Sequence, residues 1–270
     1  MKRLIDWYGY VNLLSIDVAL GAVVSAYFLS DIFHLETGKV ELMSLGLSVW
    51  LIYTIDHLID AKSIGKQASG IRHRFHQRYF YVVCAFCLLA VVTLLILLFY
   101  IDKSVLILGI GLVIFVLLYF LVQKRLGTVK ELCGAILYTA GVTIPLMVSG
   151  SSPKSIISIP VFIFFNTALI NLILFAWFDI ENDAQDGQPS IATIIGRSKT
   201  KYILIFLFGI QFVMLLFMVK KDFDPQVVNT LAAMSIILFT IFGLKNWFAE
   251  FERYRLLGDA VFLIPILYFF

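Results

Sequence analysis

The eight residues from Asp179 to Asp186 read Asp-Ile-Glu-Asn-Asp-Ala-Gln-Asp and carry carboxylates at 179, 183 and 186. A second pair, Asp56 and Asp60, closes an earlier apolar segment. In a helix, offsets of four and seven residues bring side chains on to one face, so each cluster forms a stripe of negative charge. Such a stripe at the end of a membrane helix is costly without a counter-charge. Mg²⁺ shared with phosphate answers that need, because the ion takes one or two carboxylates and leaves other positions to water and substrate oxygens. Asp56, Asp60, Asp179, Asp183 and Asp186 are therefore the candidate metal ligands and catalytic carboxylates. Asn171 lies eight residues before Asp179, on the same helical face, and is a candidate substrate contact.

The elements that must position these groups follow from composition. Of 270 residues, 61% are hydrophobic and 14% are charged, against roughly 45–50% apolar content in a soluble domain. The chain reads as a polytopic membrane protein. The apolar runs are long and lack strand alternation, so helices of about 20 residues are expected as the spanning elements. Nine spans are expected, near 10–30, 42–61, 79–100, 104–122, 130–149, 156–178, 201–219, 226–244 and 255–270. No linker is rich enough in Pro, Gly or Ser to divide them, so residues 1–270 are read as one integral membrane domain.

Sixteen of the 21 Lys and Arg residues fall on one side of this arrangement. The positive-inside rule then makes that side, with the N-terminus and both acidic clusters, cytoplasmic. Basic and acidic groups meet on one face, where carboxylates can hold a metal while cations hold phosphate oxygens. Arg72 and Arg74, in the loop after the first cluster, are candidate phosphate contacts; a positive-inside loop touching headgroups is the other reading. His57, between two acids, reads as a hydrogen-bond partner, since Mg²⁺ prefers oxygen.

Several polar residues have plainer readings. Cys84 and Cys87 sit in an apolar run and read as small core hydrophobes. Asn166 reads as glue between helices. Asp17, inside the first span, is either functional or a protonated acid bonded to a neighbouring helix. The start Met-Lys-Arg followed by apolar residues is read as the first span, since Asp6 and Asp17 interrupt it, and not as a signal peptide.

The stretch Trp177-Phe-Asp-Ile-Glu-Asn-Asp-Ala-Gln-Asp-Gly187, running into Ser190-Ile-Ala-Thr-Ile-Ile-Gly196, resembles the second Asp-rich motif of the UbiA superfamily of intramembrane prenyltransferases. Tyr53-Thr-Ile-Asp-His-Leu-Ile-Asp60 resembles the first motif, and Tyr119 with Lys124-Arg125 the end of the fourth span. The resemblance implies an all-α bundle around a central cavity, with Mg²⁺ bridging both motifs and a prenyl diphosphate. It also implies transfer of the prenyl group to an aromatic or other lipophilic acceptor. By position Lys124 is the diphosphate contact it suggests, and Arg125, Arg72, Arg74, Asn171 and Tyr53 complete the set of candidate substrate-binding residues. The first motif departs from the family pattern: Ile55 stands for Asn, Ile59 for Asp and Ser63 for the last Asp, with Asp60 one residue displaced. In the second, Asn182 stands where the middle Asp is usual.

The expected protein is thus a Mg²⁺-dependent prenyltransferase of the cell membrane. Its partners are a prenyl diphosphate, a lipophilic acceptor and membrane lipid, with no nucleic acid. A non-catalytic UbiA-like membrane protein or transporter is the alternative, suggested by the altered first motif. CDP-alcohol phosphatidyl transfer would need Ala-Arg after Gly187, and Ser190-Ile191 stands there. Prenyl length, acceptor and oligomeric state are open at this point.

Overall fold

A computed structural model describes residues 2–64, 66–148 and 158–270, with side chains from residue 7 onward. It is helical, with no strand among the described residues. Helix α1 (Lys2–Leu13) meets α2 (Ile16–Ile32) at a 76° bend. Ser15 makes the turn in left-handed backbone, φ 56°, and Trp50 Nε1 holds it by donating to the Leu14 carbonyl at 2.8 Å. Then come α3 (Lys39–Ser63), the short α4 (Ile71–Arg78), α5 (Phe80–Leu97) and α6 (Lys103–Val122). A broken segment, α7 (Lys130–Val142) and α8 (Ile144–Val148), follows.

Helix α9 (Ile159–Asp186) runs 28 residues from Pro160 in its first turn to Gly187, whose left-handed φ of 67° ends it. The short α10 (Ile191–Ile195) opens on a capping box between Ser190 and Thr193. Two long helices, α11 (Arg197–Lys220) and α12 (Pro225–Gly243), lead to α13 (Lys245–Ala249), α14 (Arg253–Ala260) and a 3₁₀ segment, Val261–Phe269.

Among the described residues six helices are long and apolar enough to cross a membrane: α3, α5, α6, α9, α11 and α12. The bent α1–α2 pair makes a seventh if counted as one span. The other two expected spans, near 130–149 and 255–270, are helical but broken or short, so they do not meet that criterion. Lys154 and the residues around it lie outside the described residues.

Burial sorts the helices. In α9, 72% of the apolar window is buried, against 6% in α6, so α9 is the central post and α6 presents apolar side chains all round. Helix α9 packs against α7, α11, α12 and α14, while α2 packs against α3 and the C-terminal 3₁₀ segment. At Gly21 the close approach is to Phe262, whose Cβ would stand 2.7 Å from any added Cβ. Asn166 is the interhelical tie expected of it, donating to the Leu207 carbonyl at 3.1 Å. Gln211 extends the knot by donating to Thr167 (2.7 Å) and Ser235 (2.9 Å). In a hydrocarbon setting such bonds satisfy groups that have no water to turn to.

After α13, Phe251 (φ 55°) and Glu252 (φ 53°) take left-handed backbone, a conformation rare outside glycine. These two residues turn the chain back toward α9 and aim α14 at the acidic clusters.

Candidate active site

A cavity of about 650 Å³ opens between α3, α5, α6, α7, α9 and α14. At one end stand Tyr53, Asp56, His57 and Asp60 of α3 with Asn171, Asp179 and Asp183 of α9. Arg72, His73, Lys130, Arg255 and Asp259 complete that wall. The cavity then runs down an apolar lining to Ile101, Val105 and Glu41. Glu41 accepts from the backbone N–H of Asp102 at 3.3 Å, which marks the opposite end of the bundle. The cavity follows α3 from Asp60 to Glu41, about 28 Å at the helical rise per residue.

The two acidic clusters do come together, but their members differ in what they already hold. Asp56 accepts from Gln123 Nε2 at 3.1 Å. Asp60, 7% exposed, lies within electrostatic reach of Asp56, Asp183, Lys130 and Lys124. Asp183 sits beside Ser190 and feels Asp179, Arg255 and Lys130. Asp179 is fully engaged: Tyr254 donates its hydroxyl to one oxygen, and Arg255 Nη2 donates to the other at 2.5 Å. Asp186 faces away from the main cavity and accepts the backbone N–H of Ser69 at 3.1 Å through both oxygens, tying down the loop after α3.

Among the described residues no three His, Cys, Asp or Glu side chains converge on one metal position. Of the two clusters, Asp56, Asp60 and Asp183 remain facing the cavity outside any ion pair of hydrogen-bonding length, and all three share Lys130 electrostatically, as does Glu131, which also lines the cavity. That donor set suits a hard cation that completes its shell with phosphate oxygens, the habit of Mg²⁺.

Behind the acids lies a buried polar network. Arg72 Nη2 donates to Asp259 at 3.1 Å and to Asn12 Oδ1 at 2.8 Å, and Nη1 lies 3.3 Å from His57 Nε2. Asn12 Nδ2 bridges Asp259 and Asp17, each at 2.7 Å, and Tyr8 donates to Asp17 at 3.0 Å. Asp17 is thus bonded to the neighbouring helix, accepting from Tyr8 and Asn12. His57 is a hydrogen-bond partner as expected, though its partner is Arg72 and not an acid. Burial, reinforced by Arg255, pushes the His73 imidazole down to about 4. His73 is therefore neutral near pH 7, and its 3.7 Å approach to Asp186 is not an ion pair there.

Of the basic residues drawn from the sequence, Arg72 lines the cavity. Arg74, Lys124 and Arg125 are exposed and do not line it, although Lys124 reaches Asp60 electrostatically. Sequence reasoning missed Arg255, Tyr254, Asp259, Lys130 and Gln123. Arg255 and Lys130 had been absorbed into the tally of positive-inside charge. Asp259, an acid inside the last expected span, carried a signal of its own, since ionisable groups within a span are functional by default.

The fold and the paired acidic clusters define the class: the chain belongs to the UbiA prenyltransferase family, whose model matches residues 18–249. Three solved structures are similar along nearly their whole lengths. A UbiA homolog from Aeropyrum pernix K1 in its apo form gives a TM-score of 0.66 at 12% identity, covering 96% of each chain. A UbiA homolog from Archaeoglobus fulgidus bound to GPP and Mg²⁺ gives 0.67 at 14% identity, covering 96% of this chain and 98% of that one. A structure of digeranylgeranylglyceryl phosphate synthase gives 0.54 at 17% identity, covering 100% and 98%. A comparison with curated protein sequences gave no match.

Proposed function

We propose that this protein transfers a prenyl group from a prenyl diphosphate to a lipophilic acceptor within the membrane. The observation that carries the reading is the cavity itself: cavity-facing acids with Lys130 at one end, and an apolar channel leading away from them. A diphosphate fits the charged end and an isoprenoid tail the rest. The homolog from Archaeoglobus fulgidus, bound to DMAPP and Mg²⁺ in one structure and to GPP and Mg²⁺ in another, supports the same pairing here.

In this reading one or two of Asp56, Asp60 and Asp183 would hold each Mg²⁺, which would leave the rest of its shell to diphosphate oxygens and water. The bound ion would neutralise the charge that builds on the leaving diphosphate. Lys130 adds a fixed positive charge on the same side. Breaking the C1–O bond leaves an allylic cation, which the rings of Tyr53 and Tyr119 in the cavity wall are suited to face. The acceptor then bonds to C1, its proton passes to the diphosphate freed by that cleavage, and the protonated diphosphate departs. Arg255 and Tyr254 fix Asp179, while Ser69 fixes Asp186, so these two acids position the helix end in the free protein. The acidic end faces the cytoplasm, in keeping with the excess of basic residues on that side.

The test is release of diphosphate by purified protein supplied with Mg²⁺, a panel of prenyl diphosphates and membrane extract. Release should depend on the metal and fall at least about 100-fold in Asp60→Asn and Asp183→Asn, the scale of a lost electrostatic contact to a transition state. Release that persists in chelator, or in both variants, would overturn the assignment.

A further inference from the structure

The apolar part of the cavity has a length that α3 measures. Tyr53, at the level where the allylic carbon would form, and Glu41, at the far end, are separated by about 18 Å at the helical rise per residue. An extended isoprenoid advances about 4.5 Å per five-carbon unit, the run of four carbon–carbon bonds of about 1.5 Å along a zigzag. About four units therefore span the distance, and two stop roughly half-way.

What stands beyond the half-way level is a glycine. Helix α7 lines the cavity with Leu137 and Gly141, four residues apart and so on one helical face. Glycine is a poor helix former, so its place on that face calls for a cause. In membrane bundles the usual cause is the close approach of two backbones. Gly141 makes no such approach, because the nearest atoms to an added Cβ are side-chain tips, Leu112 Cδ2 at 3.4 Å and Leu45 Cδ1 at 3.8 Å. Both leucines line the cavity, from α6 and α3. A methyl group fits between them, and a longer side chain must enter the lumen. Leu45 lies about 12 Å below Tyr53 along α3, past the end of a two-unit tail and within the reach of a four-unit one. Gly109 of α6 lines the same cavity, with no neighbouring atom within 4 Å of an added Cβ.

We propose that the donor is a prenyl diphosphate of about four isoprene units, about 20 carbons, and that Gly141 is a specificity-determining residue that lets the distal half of its tail pass. The proposal rests on the prenyl-transfer reading above and adds to it the length of the donor.

The experiment is calorimetry on the full chain in nanodiscs with Mg²⁺, comparing geranyl with geranylgeranyl S-thiolodiphosphate, neither of which is readily cleaved. Empty nanodiscs correct for partitioning into lipid. The wild type should bind the geranylgeranyl compound at least about tenfold more tightly, since the shorter tail forgoes every contact beyond Leu45. Gly141→Leu should weaken geranylgeranyl binding at least about tenfold and leave geranyl binding within about twofold. Gly109→Leu, which adds its side chain to open space, should do the same, and it decides the matter if Gly141→Leu does not fold. Equal or tighter binding of the geranyl compound to the wild type overturns the proposal, as do variants that weaken both compounds alike or neither. If neither compound binds the wild type, the prenyl-transfer reading falls as well; if both bind without preference, only the donor length does.

Discussion

Arg255 Nη2 donates to Asp179 at 2.5 Å, so an arginine from the C-terminal helix holds the leading carboxylate of the second acidic cluster. Both groups are largely enclosed. Breaking such a pair from one side leaves an uncompensated charge, at a cost of about 3–5 kcal/mol. Arg255→Met should lower the thermal midpoint markedly, and Arg255→Lys, which keeps the charge but loses the planar fork, should recover part of it. A midpoint unchanged in Arg255→Met would show the pair to be energetically idle.

The same pair bears on metal content. With Asp179 occupied by Arg255 and Tyr254, the members of the two acidic clusters left facing the cavity are Asp56, Asp60 and Asp183. Mn²⁺ titration followed by electron paramagnetic resonance should show one tightly held ion per chain when a prenyl thiolodiphosphate is present, and little binding without it. Asp183→Asn should abolish that ion, whereas Asp186→Asn should leave it and instead loosen the loop at Ser69.

Gly258 has no room for a side chain. A Cβ there would come within 2.6 Å of Phe175 Cε1 and 2.7 Å of Asn171 Oδ1. Gly258→Ala must push α14 off α9 or twist Phe175 out of place, at about 1–3 kcal/mol. Thermal denaturation and diphosphate release should both suffer. The control is Gly243→Ala, because that position has open space around it.

His76 is buried and donates Nδ1–H to the Arg72 carbonyl at 2.9 Å. Burial, with the nearby Arg72 charge, holds its imidazole below the ordinary value near 6.5, against the opposing pull of that hydrogen bond. The unfolded chain therefore takes up this proton before the folded one does. His76's contribution is complete above pH 6.5 and is lost as pH falls below it toward the folded value. Melting temperatures measured between pH 8 and 5 should fall on the acid side, and His76→Gln should flatten that slope. An identical slope in the variant would place the acid sensitivity elsewhere.

The membrane bundle was legible because hydrocarbon leaves few choices: long apolar runs become helices, and acids survive only at useful places. Asp56, Asp60, Asp179 and Asp183 could therefore be gathered from spacing and span position alone. Partnership was not legible. Nothing local to Asp179 reveals that residue 255 reaches it, because the contact depends on the left-handed turn at Phe251 and Glu252. Arg72 and Arg74 looked alike in sequence, yet the helical turn at 71–78 buries the first and exposes the second. Asn171 stood out by its place on the Asp179 face, but the packing of its Oδ1 against Gly258 is visible only once every neighbour is in place.

The family model matches residues 18–249, whereas Asn12, Tyr254, Arg255 and Asp259 lie beyond either end of that match. These flanking residues brace the wall of the cavity from outside the shared core. During synthesis the leading helix must wait for Asp259 to be made before Asn12 and Arg72 can close on it. The cavity wall is thus closed only once helix α14 has been made, and the nascent protein has no finished cavity until then.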